Sequence, residues 1–276
     1  MIKNYFRIAW RNLFRNKGFS ITNILGLTIG ITCTILILLW VQDELGYDRF
    51  QKNYDNIYQV IANRDFNNQV FTDRSMVLPL ASELENSSPQ IKHAVVTTYQ
   101  QQHVLTHGED KIKKKGYFVS DHFFDVFSWK FVKGSAASAL KEPNSIVLSQ
   151  SCAKAFFGND DPINQVLRID NNQDVKVTAI LEDAPGNSTF QFDWLTPFNY
   201  DDADTKQAMT EWVNSSWNVF VQTVPNADTS LLNKNITKVK RAHGKDEIST
   251  YFAFPMSSWH LYSNFDKGVN IGGMIE

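Results

Sequence analysis

The chain has 276 residues, a net charge of −2 and 43% hydrophobic side chains, which allows one large or two smaller domains and shows none of the basic excess that nucleic-acid binding requires. Two cysteines, Cys33 and Cys152, exclude a disulfide framework, so an apolar core must hold the fold. The near-neutral total hides an asymmetry: Lys3, Arg7, Arg11, Arg15 and Lys17 come with no acid among the first 17 residues, so the rest is more acidic than the whole.

Lys3, Arg7, Arg11 and Arg15 fall four apart, which on an α-helix makes one basic stripe. Phe6, Trp10, Leu13 and Phe14 gather on another side. An aromatic face beside a cationic one suits a helix lying in a membrane interface, with the arginine row toward lipid phosphates. Residues 1–17 are therefore expected to form an amphipathic elbow.

From Gly18 to Gln42 no charged residue occurs. Ile21 to Val41 would rise about 32 Å as a helix, enough to cross a hydrocarbon core of about 30 Å. Twelve Ile, Leu and Val side chains outweigh four Thr and one Asn in that stretch on an insertion scale. The run is too long for a cleaved signal and leads into Leu-Leu-Trp-Val-Gln-Asp-Glu rather than a small-residue cleavage site, so residues 18–42 are expected to span. Cations precede the span, and Asp43, Glu44 and Asp48 follow it, which places the N-terminus in the cytoplasm and residues 43–276 outside. Gly18, Thr22, Gly26, Gly30 and Thr34 recur every four residues, a narrow face on which another helix can pack closely.

Beyond the span, strand and helix signals interleave. Ile57–Ala62 and Ala94–Tyr99 read as strands, and Leu78–Leu84 as a short helix with Pro79 in its first turn. His107–Asp110 is a turn between strands over Gln102–Thr106 and Ile112–Val119. Ser145–Leu148 reads as a strand, followed by a helix with Ser149 as N-cap, Gln150–Phe157 as body and Gly158 as stop. Val166–Ile169 and Val175–Leu181, divided by Asn171-Asn172-Gln173, form a hairpin. The pattern is α+β, and Cys152 outside the span cannot reach Cys33 within it.

No catalytic, cofactor-binding or metal-ligating set stands out. Gly-x4-Gly-Lys-Ser/Thr, HExxH and GxSxG are all absent, so ATP, if used, is expected on a partner. His103 and His107 are four apart but on a strand, where they would not share a helical face. Asp121-His122-Phe123-Phe124-Asp125 reads as solvated acids around core aromatics. Lys111 and Lys113 to Lys115 read as a solvated strand edge, where Lys discourages edge pairing. Four Asn-x-Ser/Thr sequons, at Asn86, Asn187, Asn214 and Asn235, are expected by chance in an Asn- and Ser-rich chain.

Asp121–Asp170 and Val175–Leu195 resemble the periplasmic core domain of MacB-like, FtsX-family ABC transporter permeases. So do the N-terminal IAWRNLFRNKGFSITNILGLTIG and VQDELGYDRF after the span, which resemble especially the permeases of the Bacteroidetes type. The resemblance rests on a succession: D-E-L-x-Y-D-x-F, F-F-x-V-F, P-N-S-I-V-L-S, A-K-x-F-F-G, D-P-I and D-x-P-x-N-S. It implies a permease subunit of the bacterial inner membrane that carries the motion of a separate cytoplasmic ATPase to an external α+β domain with an inserted lobe near 119–222, a coupling known as mechanotransmission. A second permease copy or half, and a periplasmic adaptor or lipoprotein, are the implied further partners; the substrate is left open. Two positions depart from the pattern: Asn164 stands where Gly is usual, and Thr189 where His is usual. Family members continue into at least three more membrane helices, so this sequence reads as the N-terminal portion of a permease. The alternative is a single-pass, membrane-anchored periplasmic sensor or binding module, for which Gly26 and Gly30 would be dispensable. An anchored hydrolase would need a nucleophile or acid/base site.

Overall fold

The computed structural model describes residues 2–244 and 249–273 and divides into two compact units, residues 1–47 and 48–276. In the first, α1 (Ile2–Arg15) and α2 (Lys17–Leu45) are separated by Asn16 alone, whose ψ of 60° breaks the helix. At 29 residues, α2 would be about 43 Å long at 1.5 Å per residue, more than a hydrocarbon core requires. None of its side chains is buried, as expected of a helix whose apolar surface is met by lipid or another helix.

The second unit contains, in order, β1 (Ile57–Phe66), β2 (Gln69–Asp73), α3 (Leu80–Ser87), β3 (Ile91–Thr97), β4 (Gln101–His107), β5 (Asp110–Val119), α4 (Phe123–Val126), β6 (Phe131–Lys133), α5 (Ala136–Ala139) and β7 (Ser145–Ser149). It continues with α6 (Gln150–Phe157), β8 (Val166–Ile169), β9 (Gln173–Leu181), β10 (Trp194–Pro197), α7 (Ala203–Ala208), β11 (Asn218–Thr223), α8 (Thr229–Ala242), β12 (Thr250–Pro255), β13 (Asn264–Asp266) and β14 (Val269–Gly272). This is an α+β chain, β-rich beyond its apolar N-terminal helix.

Two substructures share one sheet. β12, β1, β11 and β3 lie side by side and all antiparallel. With α3 between β1 and β3, and α8 between β11 and β12, they make a split βαβ arrangement of ferredoxin-like order. Between β3 and β11 the chain departs into β4–β10, where the pairings β5-β4-β8-β9-β7-β10 return to β5 because β10 joins β5 in parallel, Trp194 opposite Gly116. The strands thus close on themselves where β10 meets the second half of β5. A single β3–β5 pairing, Thr97 with Val119, connects ring and open sheet.

Three apolar clusters fill the unit. Val60, Leu80, Leu84, Val96, Val221, Leu232 and Ile236 pack α3 and α8 on one face of the open sheet. Ile57, Ile61, Val95, Phe220 and Phe254 cover the opposite face, against Phe123, Phe127, Phe190 and Trp259. Leu105, Leu148, Cys152, Leu167, Val177 and Trp194 pack within and against the ring.

Local signals account for several elements. Ser149 Oγ accepts from Cys152 N at 3.2 Å and Gly158 ends α6 at φ +59°, the cap and stop read from the sequence. Asn164 has φ +65°, the left-handed region in which Asn best replaces Gly. Gly116 is required by packing: a Cβ there would lie 2.2 Å from the Trp194 ring. Lys111 and Lys113 to Lys115 lie on β5 and pair with β4 on one side; the β10 ladder on the other side begins at Gly116, so the lysine run lies ahead of it, with Lys111 and Lys113 exposed and Lys114 facing Asp193 at 3.8 Å.

Candidate functional site

The chain leaving α2 enters the second unit at Asp48, and how that segment is held is the clearest functional geometry. Asp48 is 1% exposed and adopts φ +57°, which a short polar side chain tolerates better than most. Its carboxylate accepts hydrogen bonds from Thr189 N at 2.8 Å and Thr189 Oγ1 at 2.5 Å, and its own N–H donates to Asn187 O at 2.9 Å. Burial pushes the Asp48 carboxyl above the ordinary aspartate range, against the pull of the Thr189 hydrogen bonds. Gln191 Nε2 donates to Pro185 O and Ser188 O, which keeps the 185–191 loop in shape to receive Asp48.

The next residues are tied to a second segment. Ser128 N donates to Gln51 Oε1 at 2.6 Å, Lys52 N donates to Ser128 Oγ at 3.3 Å, and Asn53 Nδ2 lies 3.3 Å from Val126 O. Phe50 and Trp129 rings meet at 5.3 Å. That segment is anchored in turn by Phe123, Val126 and Phe127, all fully buried. Three stretches far apart in sequence, 48–53, 123–129 and 185–191, therefore form one dock. They contain F-F-x-V-F whole and the ends of D-E-L-x-Y-D-x-F and D-x-P-x-N-S, and Thr189 supplies two donors to Asp48.

The residues singled out from the sequence lie elsewhere. Lys3, Arg7, Arg11 and Arg15 are all exposed on α1, as are Phe6 and Trp10, with Trp10 and Phe14 rings 5.3 Å apart. In α2, Thr22 and Thr34 return their hydroxyl protons to Gly18 O and Gly30 O at 3.0 and 2.9 Å, which hides their polarity from an apolar surrounding. Cβ atoms built on Gly18, Gly26 and Gly30 meet nothing within 4 Å. His103 and His107 do not converge: His103 bonds Asp170 at 2.5 Å and Gln101 at 2.8 Å, while His107 Nδ1 faces Val166 O at 3.1 Å. Asp121 and Asp125 are exposed and Phe123 is core. Cys33 and Cys152 are both free thiols.

Asp48 and its dock were missed because their partners are 141 residues apart. The available signal was a lone acid among aromatics, Tyr47-Asp48-Arg49-Phe50, just after an apolar run.

The arrangement defines a class: an α+β module behind one apolar N-terminal helix, in which a closed strand ring is inserted into a split βαβ sheet and whose first residues, 48–53, are held by two of its own loops. The MacB-like periplasmic core domain family matches residues 20–239, and the chain belongs to that family of ABC transporter permease components. Among solved structures, a domain of a putative permease protein from Porphyromonas gingivalis is similar at 19% identity and TM-score 0.64, over 74% of this chain and 92% of that one. The periplasmic region of MacB from Actinobacillus actinomycetemcomitans is similar at 16% and 0.53, over 75% and 91%. The extracellular domain of the noncanonic ABC-type transporter YknZ from Gram-positive bacteria is similar at 14% and 0.53, over 72% and 100%. These likenesses show a shared fold. No curated protein matches in sequence.

Proposed function

We propose that the chain is a permease subunit that carries the conformational work of a separate cytoplasmic ATPase to its external domain, for export or extraction of a substrate. The observation that carries this reading is the dock: the segment emerging from α2 is held by Asp48, Gln51 and Asn53 to two separate loops, so displacement of the span is not absorbed by a slack linker. A tether for an independent binding module would not need a buried carboxylate where the chain enters the external unit. ATP is bound and hydrolysed on the partner, and this chain supplies no catalytic group.

In this reading α1 lies along the cytoplasmic face of the inner membrane, with Lys3, Arg7, Arg11 and Arg15 at lipid phosphates and within reach of the ATPase. Charge asymmetry supports the orientation, since cations precede the span and acids follow it. The Gly18, Thr22, Gly26, Gly30 and Thr34 face receives a helix of a second permease copy or half. The closed ring supports drawing the inserted lobe at residues 101–197, which starts and ends earlier than the 119–222 span expected from the resemblance. The lobe is the surface offered to substrate, adaptor or lipoprotein.

The test is co-purification of the membrane-inserted chain with its ATPase, followed by ATP turnover and substrate movement in proteoliposomes. A coupled subunit should lose substrate movement but keep ATP turnover when Asp48 and Thr189 are replaced by Ala and Val. Substrate movement at the wild-type rate in that variant contradicts the reading.

A further inference from the structure

We infer that Glu85, His93 and His122 form a binding site for a divalent d-block cation of the zinc class. The three come from three segments, α3, β3 and the turn entering α4, and their ligating atoms all lie within 4.8 Å of one another. Glu85 Oε1 is 3.8 Å from His93 Nδ1 and 3.8 Å from His122 Nε2. Bonds of about 2.1 Å at tetrahedral angles place ligand atoms about 3.4 Å apart, so seating the ion takes a closure of about 0.4 Å in the two Glu85 separations and a turn of the imidazole rings that brings their two nitrogens together.

The surroundings prepare each atom for that role. Glu85 Oε2 accepts from Ala94 N at 2.8 Å, which leaves Oε1 for the ion. His122 Nδ1 lies 2.8 Å from Asp125 Oδ2; a proton held there leaves the Nε2 lone pair facing Glu85, the carboxylate–histidine–metal relay of zinc sites. His93 Nδ1 is buried and has no hydrogen-bond partner, an orphan that a cation would satisfy. His122 is kept at φ +33°, a costly conformation for a non-glycine residue, while the two rings, with centroids 4.7 Å apart and 30° between their planes, turn out of their stack when both nitrogens reach one ion. A cavity of about 280 Å³ borders the cluster, lined by Glu85, His122, Ser120, Asp121 and Tyr200 among others, so a fourth ligand, water or an anionic group, can enter from solvent.

The ion would bind the α3–β3 hairpin to the start of α4. Because α4 also gives its Val126 carbonyl to Asn53, occupancy would stiffen the same segment that holds the linker.

The experiment titrates Zn²⁺ into the full chain in nanodiscs, after chelator treatment and against a competing chelator. One ion per chain is expected in the wild type. Asp125→Asn should weaken binding about 10–100-fold as an outer-shell change, while His93→Gln and His122→Gln should weaken it further and His103→Gln should leave it unchanged. If the histidine variants do not fold, X-ray absorption on the zinc-loaded wild type decides, with two imidazole nitrogens and a carboxylate oxygen expected. No binding in the wild type, unchanged affinity in a folded His93→Gln/His122→Gln variant, or a zinc shell with fewer than two imidazoles overturns the assignment.

Discussion

Replacing Asp48 by Ala should loosen the linker dock by a measurable amount. The substitution removes two acceptor bonds to Thr189, at 2.8 and 2.5 Å, and bonds to a charged group contribute about 1.5–3 kcal/mol each. The loss is reduced because the wild-type carboxylate is itself desolvated, as its raised pKa shows. A net cost of about 2 kcal/mol follows, equivalent to about 4–8 °C in Tm for a domain of this size. Asp55, nearby but exposed, should cost less than about 0.5 kcal/mol when truncated. Thermal and urea unfolding of the full chain in detergent, followed by tryptophan fluorescence, would measure both. A cost for Asp48→Ala no greater than that of Asp55→Ala would refute the argument that the dock is energetically significant. The pH dependence has a definite sign. A folded-state pKa above the unfolded value of about 3.9 means that the fold holds this proton more tightly than the open chain does, so the stability it contributes is complete below that value and is lost as pH rises through the raised pKa. Wild type should therefore gain on Asp48→Asn as pH falls through that window.

Further substitutions test the rest of the architecture. Gly116→Ala should cost at least about 2 kcal/mol in unfolding titrations, because the new Cβ meets the Trp194 ring and the Trp194 carbonyl oxygen, 2.2 and 2.3 Å away, where the ring of strands closes. Asn164→Ala should cost about 1–2 kcal/mol at φ +65°, whereas Asn164→Gly should be tolerated. The Cys152 thiol, fully buried and pushed up to about 12 by desolvation, should resist alkylation at pH 8 until denaturant is added; rapid native labelling would contradict its packing. Gly26→Leu with Gly30→Leu should abolish disulfide crosslinking between single-cysteine α2 helices of neighbouring permease copies while leaving the external unit's unfolding midpoint unchanged.

Elements governed by local chemistry were legible in the sequence: the Ser149–Gly158 helix, the hairpin ending at Leu181, the apolar α2 and the positive φ of Asn164. α8 also carried a readable signal, with Asp228 capping Ser230 N and Leu231 N and Leu232, Ile236 and Val239 on its buried face. Closure of the ring was not legible, because β10 meets β5 across about eighty residues and contributes only four positions to the pairing. The dock and the Glu85–His93–His122 cluster fail for the same physical reason: each unites side chains from segments whose separation leaves no period or spacing to read.

The central claim is that motion of the span reaches the external domain through the Asp48–Asn53 segment. The most direct measurement is a spin-label distance between the ring and the split βαβ sheet, taken in the ATPase-bound permease with ATP and with a trapped hydrolysis intermediate. The account predicts a nucleotide-dependent change in wild type that disappears in the Asp48→Ala/Thr189→Val variant while ATP hydrolysis continues. A change of equal size in that variant, or none in wild type, would contradict it.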